Sequence, residues 1–250
     1  MNFIAIIPAR YASTRFPGKP LAMLGGKTVI QRVYEQVTKQ IADAYVATDD
    51  QRIFDHVTSW GGKAVMTRSD HQSGTDRIEE AMEKIEAEGK HYDVVVNVQG
   101  DEPFIQPEQI SSICRCFDDA GTQIATLGIR FGEDMGAIEN PNSPKIVVDC
   151  RGFAMYFSRS VIPYCRGKEK ETWGTQFPYL KHIGMYAYRR DVLREVTRLP
   201  QSPLELAESL EQLRWLQNGY RIKVGETTIE TIGIDTPQDL EKANALINNK

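Results

Sequence analysis

Short apolar runs alternate along this chain with segments whose apolar residues recur every three to four positions. Asn2–Ile7, Ala44–Ala47, Ala64–Met66, Val94–Val98 and Ile124–Ile129 are brief and rich in Val and Ile, and predict strands. Between them, Val29, Val33, Tyr34 and Val37 fall on one helical face. Ile78, Ala81, Met82 and Ile85 repeat the pattern, as do Ile110, Ile113, Cys114 and Phe117. This βαβαβ order predicts the α/β class, with a mostly parallel sheet covered by helices on both faces.

The texture changes near Lys145. Ile146–Val148 and Phe153–Phe157 flank a Cys-Arg-Gly turn and read as an antiparallel hairpin, followed by a polar stretch from Cys165 to Gln176. A strand at His182–Tyr188, a helix carrying Leu206, Leu210 and Leu213 as core positions, and a helix start at Thr236-Pro237 complete the pattern. No repeat or linker interrupts it. The expectation is one catalytic domain over 1–250, with 150–190 as an inserted hairpin region.

Composition adds exclusions. With 41% hydrophobic and 26% charged residues over 250 positions, the chain matches ordinary globular proteins and neither disordered nor membrane classes. A net charge of -4 gives no general attraction to nucleic acid. Phe3–Ile7 is too short for a signal-peptide core, and no apolar span approaches membrane length. Cys114, Cys116, Cys150 and Cys165 form no CxxC pair, so free thiols in a reducing cytoplasm are expected, without membrane association.

Three segments carry candidate chemistry. The loop after the first strand holds Arg10, Arg15 and Lys19 around Ser13, Thr14 and Pro17-Gly18. Three cations at the carboxyl end of a first parallel strand suit a triphosphate, although the loop is neither a P-loop nor a GxGxxG fingerprint. Gln99-Gly100-Asp101-Glu102-Pro103 leaves the most hydrophobic strand, where Asp101 could share a magnesium ion with substrate phosphates or merely shape a turn. Gly233-Ile234-Asp235-Thr236-Pro237, read as a last strand–helix junction, makes Asp235 a helix cap unless the sheet brings it to Asp101. His71–Arg77 opens a helix and could bind a base or phosphate or serve only as a cap, with Arg68 and His71 favouring binding. His56 and His91 lack such neighbours and read as structural.

The run Ile-Pro-Ala-Arg-Tyr-Ala-Ser-Thr-Arg-Phe-Pro-Gly-Lys-Pro-Leu at 7–21 opens a set of motifs that resembles the 3-deoxy-manno-octulosonate (Kdo) cytidylyltransferases. Ala47–Asp49, Met66-Thr67, His71–Arg77, Asn97–Pro103, Tyr156–Arg159, His182–Gly184, Ser202–Glu205, Leu210–Arg214 and Gly233–Pro237 follow in family order. The resemblance implies a Rossmann-like nucleotidyltransferase fold of the nucleotide-diphospho-sugar transferase type and a homodimer built partly through the inserted hairpin region, where apolar residues such as Phe153 and Phe157 are expected to be partly covered by the partner chain. It implies magnesium as cofactor and CTP and Kdo as substrates, giving CMP-Kdo and pyrophosphate for lipopolysaccharide synthesis. By the same resemblance Arg10, Arg15 and Lys19 hold the triphosphate, and Ala9, Arg68 and Ser73 lie near the nucleotide. Asp101 and Asp235 bind magnesium, and Gln99, Arg159, His182, Tyr186, Glu211 and Gln212 line the sugar site. Gln238 stands where the family commonly has Glu, a change at a helix start.

The expected chemistry is attack of the sugar's anomeric hydroxyl on the α-phosphorus, with Lys19 and Arg10 stabilising the growing charge and no enzyme nucleophile. Other readings are a cytidylyltransferase for another acidic sugar such as sialic acid, a glycosyltransferase, and a non-catalytic nucleotide-binding module. The sugar-site motifs, the lack of a DxD metal motif and the presence of Lys19, Asp101 and Asp235 weigh against them in turn.

Overall fold

Apolar side chains at every position from Ile4 to Ile7 are buried, so the first strand is covered on both faces, as a central strand of a parallel sheet must be. The computed structural model describes residues 1–248. In chain order its strands and α-helices are β1 (Phe3–Ala9), β2 (Met23–Leu24), β3 (Lys27–Thr28), α1 (Val29–Thr38), β4 (Ala44–Thr48), α2 (Gln51–Ser59), β5 (Ala64–Met66), α3 (Gly74–Ala87), β6 (Val94–Asn97), α4 (Pro107–Arg115), β7 (Ile124–Arg130), α5 (Met135–Glu139), β8 (Lys145–Val148), β9 (Ala154–Ser158), α6 (Trp173–Gln176), β10 (Leu180–Arg189), α7 (Arg190–Val196), α8 (Pro203–Glu208), α9 (Gln212–Gln217), β11 (Ile222–Thr227) and α10 (Pro237–Asn248).

The chain divides into two compact units. The first contains residues 1–110, 189–197 and the chain from Thr231 onward; the second contains Ser111–Tyr188 and Arg198–Glu230. In the first unit the strands run β6-β1-β4-β5, all parallel. The chain moves from β1 outward through β4 and β5, then returns to pair β6 with the other edge of β1. Successive loops therefore leave β1 and β6 in opposite directions, and the crevice at their carboxyl ends is where open α/β sheets bind ligands. The packing there is close. A Cβ on Gly100 would lie 2.7 Å from the Pro8 carbonyl oxygen, so only glycine fits beside β1 at this point.

In the second unit β11 pairs β7 in parallel, whereas β7–β10, β10–β8 and β8–β9 are antiparallel. The β8–β9 pair is the hairpin expected around Cys150–Gly152, and residues 150–188 lie within this unit. Phe153 and Phe157, expected to be partly covered by a partner chain, are instead only 4% and 0% exposed in the single chain. The Arg221 guanidinium sits 3.7 Å from the Phe153 ring centroid, and the His182 ring packs edge-on to Phe157. The apolar side chain that faces outward from β9 is Met155.

The helix expected through Leu206, Leu210 and Leu213 is two short helices. Ser209, with φ 51°, ends α8 in the left-handed region, and α9 starts afresh at Gln212. Leu210 and Leu213 are buried, but Leu206 is exposed, because the break takes it off the face that they share.

Candidate active site

Each candidate nucleotide residue leaves the carboxyl edge of the first unit's sheet. After β1 the chain turns through a loop closed by the Gly18 N–H donating to the Tyr11 carbonyl. Gly18 has φ 72°, and a Cβ there would lie 3.1 Å from the Tyr11 ring, so the turn that presents Lys19 favours glycine. Lys19 Nζ then reaches Asp101 Oδ2 at 2.6 Å and Asp235 Oδ1 at 3.3 Å. Those distances hold the two oxygens within about 6 Å of each other, although 134 positions separate the residues.

Asp235 arrives by a route the sequence did not suggest. The residues before it form no strand; they are an irregular segment anchored where the Ile234 N–H donates to the Asp101 carbonyl at 2.8 Å. Ile234 is fully buried with Leu24, Val29 and Ala243, which fixes the segment from below. Nor does Asp235 cap α10. Thr236 does so: its hydroxyl accepts the Asp239 N–H, and Asp239 Oδ2 accepts the Thr236 N–H at 3.0 Å. The Asp235 carboxylate is thereby left for Lys19 and for Arg15, which pairs with it through both Nη atoms at 3.1 Å.

A pocket lined by Ala9, Arg10, Arg15, Lys19, Ser73, Gln99, Asp101 and Asp235 unites these groups with His71, Gln72 and Arg77. Arg10 is exposed at its rim and, among the described residues, has no carboxylate partner. Ser73 makes the capping box of α3: its hydroxyl accepts the Asp76 N–H while Asp76 Oδ2 accepts the Ser73 N–H. Arg68 lines no part of the pocket; its mostly exposed side chain lies 3.5 Å from both Asp70 and Glu80. Arg77, one of the residues of the His71–Arg77 motif, also faces the pocket. It is buried, donating to the Thr67 hydroxyl at 2.6 Å and to Asp49 Oδ2 at 3.1 Å, and its position one turn into α3 was the available signal.

Gln99 belongs to the first unit; the other five candidate sugar residues belong to the second. There β10 is irregular between Ile183 and Tyr186, and the Thr126 hydroxyl lies 3.1 Å from the Ile183 carbonyl, 2.8 Å from that of Met185 and 3.1 Å from His182 Nε2. The His182 and Tyr186 rings lie 5.4 Å apart, and Trp215, which the sequence did not mark, stands edge-on to Tyr186 at 5.1 Å. Burial holds the His182 imidazole down to about 4, so it is neutral at physiological pH. Burial raises the Tyr186 phenol well above its ordinary value, with the charges of Tyr188 and Glu211 adding to the effect. Gln212 is 4% exposed, and its amide nitrogen has no partner among the described residues, a buried donor in want of an acceptor. Glu211 precedes it at the start of α9.

Arg159 is tied to three backbone carbonyls. Its Nε donates to the Glu208 carbonyl at 2.6 Å, Nη1 to Pro141 at 2.8 Å and Nη2 to Ser209 at 3.2 Å. Glu208 in turn accepts from the Ser158 hydroxyl and the Arg159 N–H. Two of these carbonyls, Glu208 and Ser209, lie in the turn before α9, so in this conformation Arg159 braces the segment that leads to Glu211 and Gln212.

Two carboxylates and an ammonium thus converge beside a loop that carries two more cations, Arg10 and Arg15. The model of the family described as cytidylyltransferase matches residues 4–246. A 3-deoxy-manno-octulosonate cytidylyltransferase of Bacteroides thetaiotaomicron is 62% identical over 252 residues, covering 100% of both chains. The chain belongs to the 3-deoxy-manno-octulosonate cytidylyltransferase family. A solved CMP:2-keto-3-deoxy-manno-octonic acid synthetase complexed with CTP superposes with TM-score 0.90 at 44% identity, over 100% of this chain and 99% of that one. A putative glucose-1-phosphate thymidylyltransferase from Bacillus anthracis shares the fold alone, with TM-score 0.65 at 16% identity over 99% and 96% of the two chains. The fold is thus the α/β nucleotidyltransferase fold of the nucleotide-diphospho-sugar transferase type. No helix among the described residues is long and apolar enough to cross a membrane.

Proposed function

We propose that this chain transfers the cytidylyl group of CTP to Kdo, releasing pyrophosphate. The observation that carries the reading is the meeting of Lys19, Asp101, Asp235 and Arg15 at the β1–β6 crevice. The sugar's anomeric oxygen forms a bond to the α-phosphorus as the bond from that phosphorus to the bridging oxygen breaks. Pyrophosphate departs, and the hydroxyl proton passes to solvent or to a nearby carboxylate. Lys19 neutralises charge growing on the phosphoryl oxygens, and Arg10 and Arg15 hold the outer phosphates, which suits a reaction catalysed mainly by positioning and charge. Ala9 and Ser73 border the nucleotide, and Gln99, which lines the same pocket, serves the sugar. Tyr186, His182, Glu211 and Gln212 supply the donors and acceptors for the acid sugar, and Arg159 holds the last two in place.

Two carboxylates already gathered around one ammonium form a hard, oxygen-only donor set, and Asp101 and Asp235 fit magnesium shared with substrate phosphates. Magnesium would supply Lewis-acid polarisation of the phosphates and acidify the attacking hydroxyl. On this reading the cations exchange partners when Mg-CTP arrives: Lys19 and Arg15 leave the carboxylates for the triphosphate.

The product would feed lipopolysaccharide synthesis in the cytoplasm. A homodimer would use the outward face of β9, so Met155→Asp should yield monomers by light scattering from a dimeric parent; a monomeric parent would refute the dimer. The reaction itself is tested by pyrophosphate release. Release that requires CTP, Kdo and magnesium together supports it, and release indifferent to Kdo refutes it.

A further inference from the structure

Glu80 takes no part in the chemistry above, yet its carboxylate is the hub of the segment that joins β5 to α3. It accepts the Arg68 N–H, at 3.0 Å to Oε2 and 3.2 Å to Oε1, and the Lys84 ammonium at 2.7 Å. His71 Nε2 also bonds it, and the Arg68 Nε lies 3.5 Å away. Both partners of the histidine bond are sheltered, with side chains 6% and 14% exposed. Burial alone would raise this carboxyl, but bonds from Lys84, Arg68 and His71 outweigh it and bring it down to about 2, so Glu80 is ionised throughout the working range.

One turn earlier on α3, Arg77 Nη1 donates to the Arg68 carbonyl at 3.2 Å and to the Thr67 hydroxyl at 2.6 Å. The amide and carbonyl of Arg68 are thus each bound by a side chain from the same helix face, three residues apart. The chain between this clamp and the capping box at Ser73 is short, and His71 is tied to the helix midway along it. His71, Gln72, Ser73 and Gly74 all line the pocket that holds Lys19 and Asp101.

We propose that Glu80 is a positioning residue for the nucleotide: through His71 and the Arg68 amide it holds residues 68–73 in the shape that completes the nucleotide side of the pocket. The inference rests on the reading of this pocket as the CTP site. Glu80 meets neither phosphate nor sugar in it, so its loss should weaken nucleotide capture and spare the transfer step. A residue that served stability alone would lower the amount of active protein without changing KM.

The test is steady-state pyrophosphate release by Glu80→Gln, His71→Asn and the double variant, with CTP and Kdo varied separately. Wild type must turn over first, which separates failure of the CTP reading from failure of this one. Glu80→Gln is expected to raise KM for CTP about tenfold, with kcat and KM for Kdo within about twofold of wild type. His71→Asn should do likewise, and the double variant should be no worse than the poorer single one, since both break the same link. An unchanged KM for CTP, a comparable rise in both KM values, or additive effects would overturn the proposal. Should a variant fail to fold, hydrogen exchange in the wild-type protein decides. CTP should slow exchange of the amides at 68–73, and no slowing there would contradict it.

Discussion

Lys19→Met should impair catalysis and yet make the free protein a better magnesium binder. The ammonium lies 2.6 Å and 3.3 Å from the carboxylates assigned to the metal, so in the free protein it competes with any divalent cation for them. Methionine keeps most of the stem's volume and removes the charge. Two carboxylates about 6 Å apart then repel each other by about 1–3 kcal/mol, for effective dielectric constants between those of water and a protein surface. Because Asp101 and Asp235 are 34% and 48% exposed at the side chain, solvent screens this and the lower end applies to folding, about 1 kcal/mol. The same relief of repulsion, together with loss of the competing cation, should tighten magnesium binding by about fivefold to tenfold. At saturating substrates, kcat should fall by about 10²–10³-fold, as when an oxyanion donor is removed. Magnesium titration by thermal shift and calorimetry without nucleotide, beside kcat from pyrophosphate release, reads both directions. A variant within threefold of wild type in kcat would remove Lys19 from the chemistry. Weaker magnesium binding would refute the shared position of ammonium and metal.

Two further outcomes follow from the same geometry. Asp235→Asn should lose most activity while melting within a few degrees of wild type, because Thr236 and Asp239 cap α10 without it; a melt lowered by more than about 8 °C would return Asp235 to a structural role. His182 titrates at about 4 in the folded protein against an ordinary 6.5, so the unfolded chain binds the extra proton between those values and stability falls as pH drops through that window. The loss should approach about 2–3 kcal/mol near pH 4, and His182→Asn should reduce it in urea titrations at pH 7 and pH 4.5; an undiminished loss in the variant would refute burial of the neutral imidazole.

The parallel core was legible because buried strands read as near-continuous apolar runs: Phe3–Ile7, and Val94–Val98 with Asn97 as its one polar residue, could hardly be placed elsewhere. The Cys150–Gly152 hairpin was legible from its turn residues. The loop that brings Arg10, Arg15 and Lys19 to the pocket could be read from its three cations after β1, since topology alone puts that loop at the carboxyl edge of the sheet. What could not be read were consequences of contacts distant in sequence. Asp235 looked like a cap because the hydrogen bond from Ile234 to Asp101 that carries it to the site leaves no mark in either motif. Leu206 looked like core because helical periodicity does not show a left-handed residue at Ser209. The three carbonyls that hold the Arg159 guanidinium are brought together only by the fold, so its motif did not show them. Phe153 and Phe157 were assigned to an interface because their own covering, Arg221 and His182, lies well downstream in the chain.

The central claim is direct transfer of the cytidylyl group to the sugar at the Lys19–Asp101–Asp235 cluster, without an enzyme-bound intermediate. Rapid-quench turnover of CTP carrying phosphorus-32 at the α position, with enzyme in excess, tests it most directly. Label should move from CTP to CMP-Kdo in a single phase when Kdo and magnesium are present, and none should remain on denatured protein with or without Kdo. Label held by the protein before it reaches the sugar, or CTP consumed without labelled CMP-Kdo, would contradict the account.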